Sequence, residues 1–201
     1  MTALAQPVCR VAKMLVAGGF GVGKTTAIGA VSDITPLRTE EILTVQSSGV
    51  DRLAGVEGKD TTTVAFDFGR VGLDDPDGSD PVEVYLFGTP GQPRFWGFWD
   101  DLAEGAHGAV VLADTRRLES SFPAADFFEQ RGLPFVIAVN VFSGTKRRKL
   151  AEVREAFDVD TSVPVMFCDA RDADSVAGVL ITLAQYAVTL HPAHSALLDA
   201  R

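Results

Sequence analysis

Cysteine is scarce in this chain: its 201 residues include two, Cys9 and Cys168, each beside a hydrophobic run. Two cysteines so far apart form neither a disulfide framework nor a metal site, and both read as small buried apolar side chains of a reducing compartment. Histidine is nearly as rare, and His107, His191 and His194 have no ligand-like spacing among themselves or with the cysteines, so no zinc is expected. Positive charge is also short, with 18 Lys and Arg against 27 Asp and Glu and a net charge of −9. An acidic surface of this kind argues against broad nucleic-acid binding and against a polybasic membrane anchor. The one basic run, residues 146–149, reads as a solvated loop or the start of a helix. No apolar stretch reaches membrane-spanning length, the N-terminus lacks a signal-like apolar segment, and the terminal Leu-Leu-Asp-Ala-Arg carries no prenylation motif. The chain is expected to be cytoplasmic, with no membrane span and no nucleic-acid partner.

A hydrophobic fraction of 46% and a charged fraction of 22% suit a globular chain. One domain is expected over residues 1–201, with its core over about 10–190 and a short C-terminal tail after Pro192. Short apolar runs alternate with helical patterns, the mark of βαβ units and a largely parallel sheet. Strands are predicted over 11–17, 63–71, 82–87, 109–113, 135–139 and 163–167, and helices over 24–31, 122–130 and 149–157. The apolar positions Val176, Val179, Leu180, Leu183, Ala187 and Leu190 recur at helical spacing and predict an amphipathic closing helix. Asp74-Asp75-Pro76-Asp77-Gly78 is a turn signal that makes the second and third strands an antiparallel hairpin. Residues 35–59 show only weak periodicity, which in a compact domain marks a functional or mobile stretch. The expected fold is α/β, a three-layer sandwich whose mostly parallel six-stranded sheet has one antiparallel hairpin strand.

The first strand leads straight into Gly18-Gly19-Phe20-Gly21-Val22-Gly23-Lys24-Thr25, a full G-x-x-x-x-G-K-[ST] pattern. Glycines let the backbone wrap inward so that successive N–H groups point at phosphates. Lys24 brings positive charge to the β and γ phosphates, and Thr25 offers its hydroxyl to Mg²⁺. The helix that follows adds its N-terminal dipole end, with Thr26 in its first turn. The nucleotide-binding set at this end is Gly19, Phe20, Gly21, Val22, Gly23, Lys24, Thr25 and Thr26.

After the third strand comes Gly88-Thr89-Pro90-Gly91-Gln92, where GTPases of the Ras superfamily have D-x-x-G-Q. By that resemblance the Gly91 N–H senses the γ-phosphate, Gln92 orients the attacking water, and Gln92 and Lys24 form the catalytic pair. The aspartate of the pattern is replaced by Gly88, which leaves the Mg²⁺ site to Thr25 and a second threonine, Thr63, at the entry to the second strand. An ordinary β-branched strand start is the alternative for residues 61–63. The base-recognition pattern [NT]-K-x-D is represented by Asn140 alone, with Ser143 at the aspartate position. In Cys168-Asp169-Ala170-Arg171, the Ala170 N–H is placed for guanine O6 and Arg171 for stacking on the base.

Taken over residues 13–190, the chain resembles the conservon small GTPases of actinobacteria, relatives of the bacterial gliding-motility polarity GTPases. The segments that carry the likeness are GGFGVGKTT, RTEEILTVQSSGVD, GKDTTTVAFDFG, YLFGTPGQPRFWGFWDDL, VVLADTRR, FPAADFFEQRGLP and CDAR. The resemblance implies a guanine-nucleotide switch that binds GTP and GDP with Mg²⁺. It also implies a roadblock-type regulatory partner and a sensor-kinase-like partner, through which any membrane association would arise. Residues 35–63 and 88–101 are placed to act as the switch loops, and the second holds Arg94, Phe95, Trp96, Phe98 and Trp99. Some of these rings are expected in the core and one or two at a partner interface. Phe20 stands where an arginine finger approaches in related GTPases, and no arginine adjoins Thr63, so hydrolysis is expected to be slow without a partner. Two alternatives stay open: an ATP-dependent P-loop enzyme, and a nucleotide-binding scaffold that does not hydrolyse.

Overall fold

The computed structural model describes residues 10–44, 61–73, 82–91, 97–144 and 148–190. Its centre is a seven-stranded sheet. β1 (Arg10–Ala17) lies between β4 (Val82–Gly88) and β5 (Gly108–Ala113), and β6 (Phe135–Asn140) and β7 (Val165–Cys168) follow outward from β5. All of these neighbours pair in parallel. On the other side β3 (Thr61–Leu73) runs antiparallel to β4, and β2 (Leu37–Thr44) runs antiparallel to β3 at the edge.

Helices cover both faces. α1 (Lys24–Val31) and α5 (Ala173–Leu190) lie on one side, and α2 (Trp99–Ala103), α3 (Phe122–Gln130) and α4 (Leu150–Phe157) lie on the other. Alternation along the strands divides the core accordingly. Met14, Leu86, Val110 and Leu112 pack with Ile28, Val179 and Leu183, whereas Leu15, Val111 and Ile137 pack with Trp99, Phe128 and Val153. β5 and β6 are buried at every position, as central parallel strands covered on both faces must be.

The expected α/β three-layer sandwich with its antiparallel hairpin is the observed architecture, with one strand beyond the six anticipated. That strand, β2, falls in the stretch of weak periodicity. Arg38, Glu40 and Glu41 interrupt its apolar pattern, and an edge strand with a single neighbour tolerates such charges. The turn signal at 74–78 lies outside the described residues, but the register Leu73↔Val82 to Phe68↔Phe87 is that of a hairpin. α5 is long and apolar enough by composition to cross a membrane, contrary to the sequence expectation. Its buried Val176, Val179, Leu180, Leu183 and Ala187 make it a core helix here.

β1 is where connections diverge to the two sides of the sheet. The crevice at its carboxyl end is therefore the place where an open α/β sheet binds ligands.

Candidate functional site

Residues 18–25 wrap around the carboxyl end of β1. Gly18 and Gly23 have φ of +131° and +108°, backbone angles that L side chains rarely adopt. At Gly23 a Cβ would also stand 2.6 Å from Asn140 Nδ2. α1 starts directly after Gly23, with no side-chain cap and no acidic residue in its first turn. Its leading N–H groups therefore face the crevice as an anion site. Lys24 folds over the loop and donates from Nζ to the Gly18 and Gly19 carbonyls, both at 2.9 Å. Burial lowers its pKa to about 8, against the opposing pull of Asp67. Beside the loop is a cavity of about 480 Å³, lined by Phe20, Lys24, Thr25, Thr26, Asp67 and Thr89 among others. Val22 anchors the loop in the core, while Phe20 is 69% exposed at its rim.

The opposite wall is the turn after β4. Gly91 packs so closely on the loop that a Cβ would stand 2.7 Å from Lys24 Nζ and 3.0 Å from the Phe20 nitrogen. A side chain at 91 would have to displace the Lys24 ammonium and press on the loop backbone, so glycine lets this turn lie against the phosphate loop. Gly88, where the aspartate of the pattern is absent, faces a carboxylate from the neighbouring strand. Asp67 of β3 accepts a hydrogen bond from Thr25 Oγ1 at 2.5 Å, and a Cβ on Gly88 would be 3.3 Å from Asp67 Cβ. Glycine at 88 thus leaves room for the Asp67 side chain from the neighbouring strand. The pair formed by the Thr25 hydroxyl and the Asp67 carboxylate is a hard-oxygen donor set. Mg²⁺ is commonly held by one or two carboxylates with the nucleotide phosphates and water completing its shell, so these residues fit it. A further sign of an incomplete site is Thr89: its hydroxyl is buried and has no hydrogen-bond partner among the described residues. Such a group costs about 1–3 kcal/mol until something pairs with it.

A brace behind the loop joins it to the segment after β5. Ser121 Oγ accepts from the Gly19 N–H at 3.3 Å and donates to the Leu112 carbonyl at 2.8 Å. Arg117 Nη2 donates to the Phe20 carbonyl at 3.2 Å. Buried Asp114 takes the Arg116 guanidinium on both oxygens, and that pairing holds its carboxyl below the usual range. Arg116 in turn covers the Phe142 ring at 4.1 Å. The phosphate loop and the loop after β6 are thereby tied to one anchor. Sequence reasoning did not find this brace, nor Asp67. It placed no arginine at the loop, yet Arg117 reaches it from 97 residues away. The available signals were an acid in the middle of an apolar strand (Asp67) and a polar run directly after one (residues 114–117).

At the other end of the crevice, Asn140 Nδ2 donates to the Val22 carbonyl at 2.9 Å and Oδ1 accepts from the Ala170 N–H at 3.1 Å. The Ala170 N–H expected at guanine O6 is therefore engaged by Asn140. Arg171, expected to stack, is paired through Nε and Nη2 with Asp169 at 2.9 and 2.7 Å and through Nη1 with Ser143 Oγ at 3.3 Å. This pairing lowers the Asp169 pKa to about 2. Asn140, Ala170, Lys24, Thr25 and residues 19–23 are thus brought together with Gly91. Thr63 lies in β3 opposite Ile42, four residues before Asp67 on the same strand, and its side chain is outside the described part. Gln92, Arg94, Phe95 and Trp96 also lie outside the described residues. Trp99 is core: it is buried, donates to the Pro90 carbonyl at 3.2 Å and meets Phe127 edge-on.

Comparison with known proteins places the chain in a nucleotide-binding family and a GTPase-like fold. A family described as conserved hypothetical ATP binding protein matches residues 16–190. An uncharacterised protein of Methanocaldococcus jannaschii is 26% identical over 162 residues, which cover 79% of this chain and 80% of that protein. Among solved structures, the G domain of the T. maritima FeoB iron transporter superposes with a TM-score of 0.58 at 16% identity, over 89% of this chain and 99% of that one. The apo cytosolic domain of the same transporter superposes with a TM-score of 0.60 at 16% identity, over 89% of this chain and 64% of that one. At that identity the likeness is one of fold.

Proposed function

This chain belongs to the family of conserved hypothetical ATP-binding proteins, and within that nucleotide-binding frame we propose that it is a guanine-nucleotide switch that hydrolyses GTP slowly to GDP and phosphate. It is a nucleotide-binding P-loop protein of GTPase-like fold. The observation that carries the finer reading is Gly91 seated on Lys24 and on the Phe20 nitrogen. A loop that reports the γ-phosphate must lie within reach of Lys24 and the phosphate loop, because the phosphate binds between them.

The residues divide the task. Backbone N–H groups of the loop and of α1 bind the phosphates, and Lys24 supplies charge to them. Thr25 and Asp67 would hold Mg²⁺, with Thr63 as the second threonine, and the ion supplies charge neutralisation at the phosphate oxygens. Gln92 orients water, and Asn140, Ala170 and Arg171 frame the base. Phe20 at the rim narrows the path of an arginine from a partner, which favours slow turnover. The resemblance to conservon GTPases supports a roadblock-type regulator and a sensor-kinase-like protein as partners, and a cytoplasmic location.

The family description favours a second reading, an ATP-dependent P-loop enzyme. Single-turnover assays with GTP and ATP separate the two. Under the first reading GTP is cleaved slowly, Gln92→Ala reduces the rate at least tenfold, and ATP is not cleaved. A fast rate unchanged in Gln92→Ala, or cleavage of ATP alone, contradicts it.

A further inference from the structure

At the base end, position 143 is serine, and a serine hydroxyl cannot by itself accept from both N1–H and N2–H of guanine while it also bonds Arg171. The neighbouring loop carries a carboxylate. Asp169 immediately precedes Ala170, whose N–H is tied through Asn140 to the Val22 carbonyl of the phosphate loop, so Asp169 and Ser143 flank the same end of the crevice. One guanidinium spans them, with Arg171 Nη2 on Asp169 Oδ2 at 2.7 Å and Nη1 on Ser143 Oγ at 3.3 Å. Asp169 Oδ1 is saturated, because it accepts from the Arg171 backbone N–H at 3.0 Å and from its Nε at 2.9 Å. Oδ2 accepts one bond and keeps a lone pair, and Ser143 Oγ likewise keeps one.

We propose that Asp169, oriented by Arg171 and assisted by Ser143, is the residue that selects guanine over adenine in this chain. Two acceptors bridged by one planar cation are the complement that the adjacent N1–H and N2–H donors of guanine call for. Adenine presents an acceptor, its N1, on the corresponding edge and no amino group at C2. It meets the acceptor pair with repulsion and with desolvation that nothing compensates. The acid stands just past an adjacent strand end, as Asp67 stands on the strand beside Gly88 at the other end of the site. The alternative is an exposed ion pair that stiffens the turn between β7 and α5, which contributes little to stability and would affect every nucleotide alike.

This inference rests on the guanine-nucleotide reading, and the test keeps the two apart. Dissociation constants for GTP, ITP and ATP are measured on the full chain for wild type, Asp169→Asn, Asp169→Ser and the exchange variant Ser143→Asp with Asp169→Ser. ITP lacks the 2-amino group and so reports the N2 contact. The wild type should prefer GTP to ITP and to ATP. Asp169→Asn and Asp169→Ser should lose about 10–100-fold in GTP affinity, as expected for a charge-assisted bond left unmade, while ATP affinity stays level or rises as the acceptor facing adenine N1 is removed, and far-UV circular dichroism serves as the control for folding. The exchange variant should regain the preference for GTP. An unchanged GTP-to-ATP ratio in Asp169→Ser, or an equal loss for all three nucleotides, overturns the assignment while leaving the guanine reading intact. A wild type that prefers ATP overturns both.

Discussion

Lys24 carries two demands that conflict: it must be charged to meet phosphate, yet it sits where burial lowers its pKa to about 8. A bound triphosphate favours the ammonium form and raises that value, so binding above pH 8 takes up a proton. Nucleotide affinity is therefore expected to fall as pH rises through about 8, by at most about tenfold per unit for a single proton. Calorimetric titration in buffers of different ionisation enthalpy checks this, with proton uptake seen at pH 9 and little at pH 7. Thr89 gives a second test. Its buried hydroxyl lacks a partner among the described residues and lines the cavity. Thr89→Val keeps the shape and removes the unpaired group, so the empty protein should gain about 1 kcal/mol in chemical denaturation while nucleotide affinity drops several-fold. Asp67 belongs to this scale as well. In the sequence it is one acid in the strand pattern T-T-T-V-A-F-D-F, and only the β3–β4 pairing reveals that it stands beside Gly88 and Thr25.

Among the elements, those with strong local rules were legible. Glycines with a following lysine define the phosphate loop, and a 3.6-residue apolar repeat defines α5. β2 escaped because an edge strand need bury only part of its pattern, and its charges hide the alternation. The brace behind the loop escaped for another reason: Ser121 meets Gly19 across 102 residues, and no local periodicity encodes a contact of that kind. Ser121 is fully buried and joins the end of β5 to the loop. Ser121→Ala leaves the Leu112 carbonyl and the Gly19 N–H without their partner, and should cost about 1–3 kcal/mol of stability. Denaturant unfolding reads that loss. Weaker nucleotide binding in the same variant should accompany it, because the Gly19 N–H is no longer held in place.

For the molecule as a whole, the layered α/β fold places three loops at the carboxyl end of β1: the phosphate loop keeps its full pattern, and the other two depart from the usual GTPase pattern at Gly88 and Ser143. Asp67 stands beside Gly88, and in the proposal above Asp169 with Arg171 takes the part of the acid absent at Ser143. Motif reading alone registers both departures as losses, because the compensating acids lie elsewhere in the chain. The central claim is that the crevice binds guanine nucleotides through the phosphate loop with Mg²⁺. Competition of GTP, GDP and ATP against a fluorescent nucleotide, with and without Mg²⁺, tests it most directly. The account predicts that GTP and GDP displace the probe at concentrations at least tenfold below ATP, that Mg²⁺ strengthens GTP binding, and that Lys24→Ala abolishes binding. Preferential displacement by ATP, or binding unaltered in Lys24→Ala, would contradict it.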